Sequence, residues 1–129
     1  MKKTISVLAV TIILIAMIVW AQVVAENTLK DTAKKIDALS ENISLTENIA
    51  TNQIVNQANE LDKFWERKER ILSLIINHND LNRIGEQIKK IVVYINQNDK
   101  KNCKYELVTL QFYMQSYQSV IDINPEHLL

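Results

Sequence analysis

The chain is short of the residues that make corners and staples: among its 129 residues stand one glycine, Gly85, one proline, Pro125, and one cysteine, Cys103. Strand-rich folds turn at frequent corners that call for positive or fixed φ, supplied mostly by Gly and Pro. Their scarcity predicts an all-α chain. A single cysteine excludes an intrachain disulfide, and no CxxC pair or Cys/His spacing is present for redox or zinc chemistry. Cys103 reads instead as a small buried hydrophobe. One glycine also excludes a Walker loop and a dinucleotide GxGxxG. His78 and His127 are far apart, with no HExxH or other ligand cluster beside either. Ser73, Ser116 and Ser119 fall in regular helix, where the backbone donors of an oxyanion site are already used. Carboxylate pairs such as Asp62 and Glu66 lie on a charged helix face without an apolar pocket to separate their pKa values. No catalytic residue, metal site or cofactor site is expected.

An excess of charge is missing as well. The formal net charge is zero, but Lys2 and Lys3 precede every acid, leaving 13 basic against 15 acidic groups from Glu26 onward, a net of −2. That domain lacks the positive footprint that holds nucleic acid by its phosphates. The one local positive group is Lys89, Lys90, Lys100, Lys101 and Lys104, around the connection between the last two helices. These lysines are expected mainly as solvated helix ends; their functional reading is contact with an anionic surface, either lipid head groups or wall polymer.

What the chain does have is a long apolar run. From Ile5 to Ala21 only Ser6 and Thr11 interrupt it, and with Gln22 to Ala25 it approaches the ~20 residues that cross a hydrocarbon core. Lys2 and Lys3 before it and Trp20 near its far end orient it with the N-terminus in the cytoplasm and everything after Glu26 outside. The apolar residues cover every face, unlike the single stripe of a soluble helix. Residues 1–25 are therefore expected to be a membrane anchor in contact with lipid through 5–25, and 26–129 an extracytoplasmic domain. A secretory signal cleaved after Ala25 is the alternative; the run exceeds the ordinary signal core of roughly 7–15 residues, which favours the anchor.

The domain reads as a small antiparallel bundle of three to four helices. Residues 26–47 carry Leu29, Ile36 and Ile43 at a seven-residue spacing that continues to Ala50, with Ala33 and Leu39 beside them, a thin stripe that suggests a stalk or coiled-coil seam. A second helix, about 47–77, places Ile54, Ala58, Leu61, Trp65, Leu72 and Ile75 on one face, with the stem of Lys68 filling a gap. Trp65 is expected in the core, and Glu66 is spaced to pair with Arg70. Asn77-His78-Asn79-Asp80 stops that helix and offers Asn79 or Asp80 as the next N-cap; His78 is expected there as a cap or partly buried polar residue. The third helix aligns Leu81, Ile84, Ile88, Ile91, Val92 and Ile95, with Gly85 beside that face where the missing side chain is expected to let another backbone approach closely, at some cost in helix propensity. Asn96 to Asp99 makes a short connection, and the fourth helix carries Cys103, Leu107, Leu110, Met114, Tyr117 and Ile121 until Asn124-Pro125 ends it. Tyr105, Val108 and Phe112 form a second row on it. The two rows are expected to make one apolar arc wider than the roughly 100° a surface helix needs, with the excess either covered by the second helix or left open as a partner surface.

The run from Phe64-Trp65 through Ile75, His78, Leu81, Ile84, Tyr94-Ile95, Asp99 and the final helix resembles a family of small single-span proteins of unknown function from endospore-forming Gram-positive bacteria. The resemblance covers most of the domain and rests on packing and capping residues. It implies an anchored helical domain without catalytic residues, and its association with neighbouring genes for an integral-membrane protein implies a membrane partner. The functional expectation is an interaction or structural module, accessory to another membrane protein or self-associating. The alternative is a sensory or carrier domain binding a small molecule between helices, with Trp65 lining the site.

Overall fold

The computed structural model describes residues 1–121, with side chains through Ser119, as four helices: α1 Lys2–Ser44, α2 Asn52–Leu72, α3 His78–Asn96 and α4 Lys100–Ile121. No strand occurs among the described residues. The Asn124-Pro125 stop, the tail residue His127 and the side chain of Ile121 lie outside them. Each helix packs on two neighbours, α1 on α2 and α4, α3 on α2 and α4. With short connections reversing the chain, the result is an antiparallel four-helix bundle around one core.

The two halves of α1 obey different rules. From Ile5 to Trp20 its large apolar side chains are all exposed, and an 18-residue window of α1 has a mean hydropathy of 2.7 with none of it buried in the bundle. This helix is long and apolar enough to cross a membrane. Thr11 returns its hydroxyl to the Val7 carbonyl at 2.8 Å, so it adds no unpaired polar group to that surface. The same helix then continues without a break into the bundle. Ala25, Thr28, Leu29, Thr32, Ile36, Leu39 and Ile43 are buried, so residues 26–44 are a full member of the bundle and not the stalk expected. The reason is a 3-4 alternation, Ala25, Leu29, Thr32, Ile36, Leu39, Ile43, in which Thr32 supplies the missing seam position. Its hydroxyl donates to the Thr28 carbonyl at 2.7 Å, which satisfies the only polar atom it brings into the core.

Cross-helix pairs set the register. Asn42 Nδ2 donates to Gln57 Oε1 at 2.8 Å and the Lys35 ammonium lies 4.9 Å from the centre of the Phe64 ring. On the other flank Gln111 Nε2 donates to Asp37 Oδ1 at 2.9 Å, and Gln118 Nε2 to the Leu29 carbonyl at 3.4 Å. Along both flanks the partner numbers rise as the α1 numbers fall, as antiparallel packing requires.

Thr51 caps α2, its hydroxyl accepting from the Ile54 N–H at 3.3 Å. The helix stops at Leu72, five residues short of the expected end. Leaving the helix changes the rotation of the chain, and the inward position passes from Ile75, 38 % exposed, to Ile76, 9 % exposed. Asn77, two or three residues earlier than expected, caps α3 by accepting from the Asn79 N–H at 2.8 Å, and His78 is exposed. Gly85 admits a side chain rather than the backbone expected: a Cβ there would lie 3.3 Å from Trp65 Nε1 and 3.5 Å from Trp65 Cδ1, so the bare backbone lets the buried indole approach α3 closely. Gln87, unforeseen in the core, joins α3 to α4 by donating to the Glu106 carbonyl at 3.1 Å and to the Glu106 carboxylate. Glu66 reaches across to Lys89 at 2.9 Å rather than along its own helix to Arg70.

At the far end Asn98 adopts φ 53°, a left-handed conformation that Asn tolerates well. Its side chain accepts from the Ile49 N–H at 2.9 Å, fastening the α3–α4 connection to the α1–α2 connection and covering Ile49. Cys103 is fully buried, and burial, followed by the nearby Asp99 charge, pushes its thiol up to about 11. Because the thiolate is the reactive form, Cys103 is expected to resist maleimide in the native protein at neutral pH and to label fully once denatured. Rapid labelling of the native chain would contradict this packing.

Candidate functional site

On α4, each residue advances about 100° around the axis, which separates the two rows that were expected to merge. Cys103, Leu107, Leu110 and Met114 face the core and are buried. Tyr105, Val108 and Phe112 project to the opposite side, 71 %, 64 % and 65 % exposed. They are not flank residues of a wide arc, and α2 does not cover them: α4 packs on α1 and α3. Thr109 and Ser116, beside this row, donate their hydroxyls to the Tyr105 and Phe112 carbonyls at 3.2 and 3.1 Å. The row is thus an apolar ridge with its neighbouring hydroxyls turned back onto the helix.

Two of the five expected lysines, Lys89 and Lys100, are held by groups outside the cluster. Lys89 sits between Asp62 and Glu66 at 3.3 and 2.9 Å, and its hydrogen bonds to those carboxylates hold its ammonium above the usual lysine range. Lys100 Nζ donates to the Thr46 carbonyl at 2.8 Å, tying α4 to the α1–α2 connection. Lys90, Lys101 and Lys104 are exposed. The connection they surround lies at the end of the bundle away from the apolar run, since its contacts are to Thr46 and Ile49, beyond the C-terminus of α1.

Trp65, the candidate lining of a ligand site, is packed rather than open. Its Nε1–H is buried without a hydrogen-bond acceptor. The hollow beside it, between Asp62, Glu66, Glu69, Asn82, Glu86 and Lys89, measures about 170 Å³, below the ~300–1,000 Å³ typical of small-molecule pockets. A larger hollow of about 570 Å³ is lined by Glu86, Lys89, Lys90, Val93, Tyr94 and Gln97, all from α3, and so follows one helix surface rather than a chamber between helices. Among the described residues no group of three or more His, Cys, Asp or Glu is arranged to hold a metal. Tyr117, half-buried, has its phenol raised by burial and by the charge and hydrogen bond of Asp80, a contact that closes the α3–α4 seam. Of the expected site residues, Tyr105, Val108 and Phe112 stand as one exposed row on α4.

Comparison with curated proteins and with solved structures returns no match. One family model does match, over residues 22–124, beginning where the apolar run gives way to the bundle. The chain therefore belongs to the family described as Domain of unknown function (DUF4363).

Proposed function

We propose that the chain is a membrane-anchored extracytoplasmic helical interaction module, in which the spanning half of α1 holds the bundle at the bilayer and the α4 ridge meets a protein partner in the same membrane. The observation that carries the reading is the exposure of Tyr105, Val108 and Phe112 opposite a complete core row on the same helix. Exposed single hydrophobics are ordinary, whereas an ordered row of them, two aromatic, is the composition of an interface core. The two basic residues before the apolar run and Trp20 near its end support an N-in, C-out orientation. In that orientation the exposed Lys90, Lys101 and Lys104 stand far from the bilayer, which leaves wall polymer rather than lipid as the anion within their reach.

The test is cross-linking in native membranes with Val108→Ser and Phe112→Ser combined, together with protease added to intact protoplasts. The bundle is expected to be cut from outside, and the double variant to lose most of its cross-linked product. Its melting temperature should barely change, because surface substitutions usually stay within about 0.5 kcal/mol each. Undiminished cross-linking, or a large stability loss, would remove the ridge as the partner surface; full protection of the bundle until lysis would reverse the topology.

A further inference from the structure

Leu74 and Ile75 stand together in the α2–α3 turn, 72 % and 38 % exposed. The turn is not loose. Ser73 N–H donates to the Glu69 carbonyl at 2.9 Å, Leu74 N–H to Ile71 at 3.2 Å, and the N–H groups of Ile75 and Ile76 both to Leu72, at 3.0 and 2.8 Å. With Ile76 buried beneath it, this backbone holds the two aliphatic side chains outward.

The height of the turn along the bundle decides what they meet. The pairs Asn42–Gln57 and Lys35–Phe64 show that each step toward the C-terminus of α2 is one step toward the N-terminus of α1. The same register brings Leu72 level with Asn27, and the turn beyond it level with the last residues of the apolar run. Burial agrees: Ala21, Gln22 and Val24 are already half-buried and Ala25 fully so. The base of the bundle therefore overlaps the end of the span, with no spacer between them.

We propose that the α2–α3 turn is a second membrane contact, with Leu74 and Ile75 entering the boundary between head groups and acyl chains of the bilayer that α1 crosses. This rests on the reading of residues 5–25 as a transmembrane segment. Apolar side chains at that depth are removed from water, while the exposed Arg70, one turn before Leu74, has the length to keep its guanidinium among the phosphates. The span holds one corner of the base and the turn the side formed by α2 and α3, so two points of attachment fix the tilt of the bundle and aim the α4 ridge along the membrane plane.

The full chain in a Cys103→Ala background, reconstituted in phosphatidylcholine vesicles, tests this with an environment-sensitive fluorophore on one introduced cysteine at a time: Ile13→Cys, Leu74→Cys or Leu45→Cys. Leu45 is exposed at the opposite end, ~30 Å along α1 from Ala25 at 1.5 Å per residue. Acyl-chain spin-labelled lipid is expected to quench the probes at 13 and 74 several-fold and to leave the probe at 45 unquenched. Quenching at 13 without quenching at 74 overturns the second contact and leaves the anchor standing. No quenching at 13 removes the anchor and the contact with it. Equal quenching at 45 and 74 overturns the proposal because the bundle would then lie along the bilayer instead of standing on its base.

Discussion

Trp65→Ala is expected to remove most of the bundle's stability. The indole is the largest fully buried side chain, it spans the α2–α3 seam, and its Nε1 and Cδ1 atoms lie close against Gly85. Truncating a buried aromatic costs about 3–5 kcal/mol, a large share of the roughly 5–15 kcal/mol that a domain of this size holds. At about 4–8 °C per kcal/mol for a domain of roughly a hundred residues, the melting temperature should fall by tens of degrees. Trp65→Phe should be far milder. It gives up part of the ring but also removes an N–H that is buried without an acceptor, and an unsatisfied buried donor costs ~1–3 kcal/mol on its own. Thermal melts of the two variants decide the matter: equal losses would mean that the indole nitrogen has a partner, and a negligible loss for alanine would mean that the α2–α3 seam is not where the core is tightest.

Much of this architecture could be read from residue order because α2 and α3 are conventional amphipathic helices. Leu61, Trp65 and Leu72, or Leu81, Ile84, Ile88 and Ile91, fall on one side by spacing alone, and all are buried. The scarcity of Gly and Pro gave a correct all-helical expectation for the same elementary reason. What could not be seen was set by tertiary contact. Thr28, Thr32 and Gln87 are polar letters that look solvent-facing until Thr32 finds the Thr28 carbonyl and Gln87 finds Glu106. Reading Thr28 and Thr32 as surface thinned the α1 stripe and made a bundle helix look like a stalk. At the α2 terminus, one irregular turn exchanged Ile75 for Ile76. The candidate site divides in the same way. The α4 ridge was visible as residues, while its direction required the angle between the rows, which the 100° step already contains. The lysines were adjacent in sequence, but Lys89 is held by two acids across the α2–α3 seam and Lys100 by a carbonyl.

The part played by α1 has the most severe consequence. A chain beginning at Gln22 is expected to fold as a cooperative bundle, and a chain beginning at Leu45 to remain unfolded. The missing piece in the second case is the helix that closes the ring between α4 and α2. It carries Leu29, Ile36, Leu39 and Ile43, all fully buried, and burying each such side chain stabilises by about 1.5–3 kcal/mol. Four of them together amount to the order of 6–12 kcal/mol, comparable with the total stability of a small domain. Removing the helix would also strip Gln57, Gln111 and Gln118 of the partners they have in Asn42, Asp37 and the Leu29 carbonyl. The family match begins at Gln22 and so places this half of α1 within the domain. Urea titration followed by circular dichroism separates the outcomes. A sharp transition for the chain starting at Leu45 would show that the remaining three helices hold together alone. Its absence, with a sharp transition for the chain starting at Gln22, would show that the helix continuing from the apolar run is the one that holds the core together.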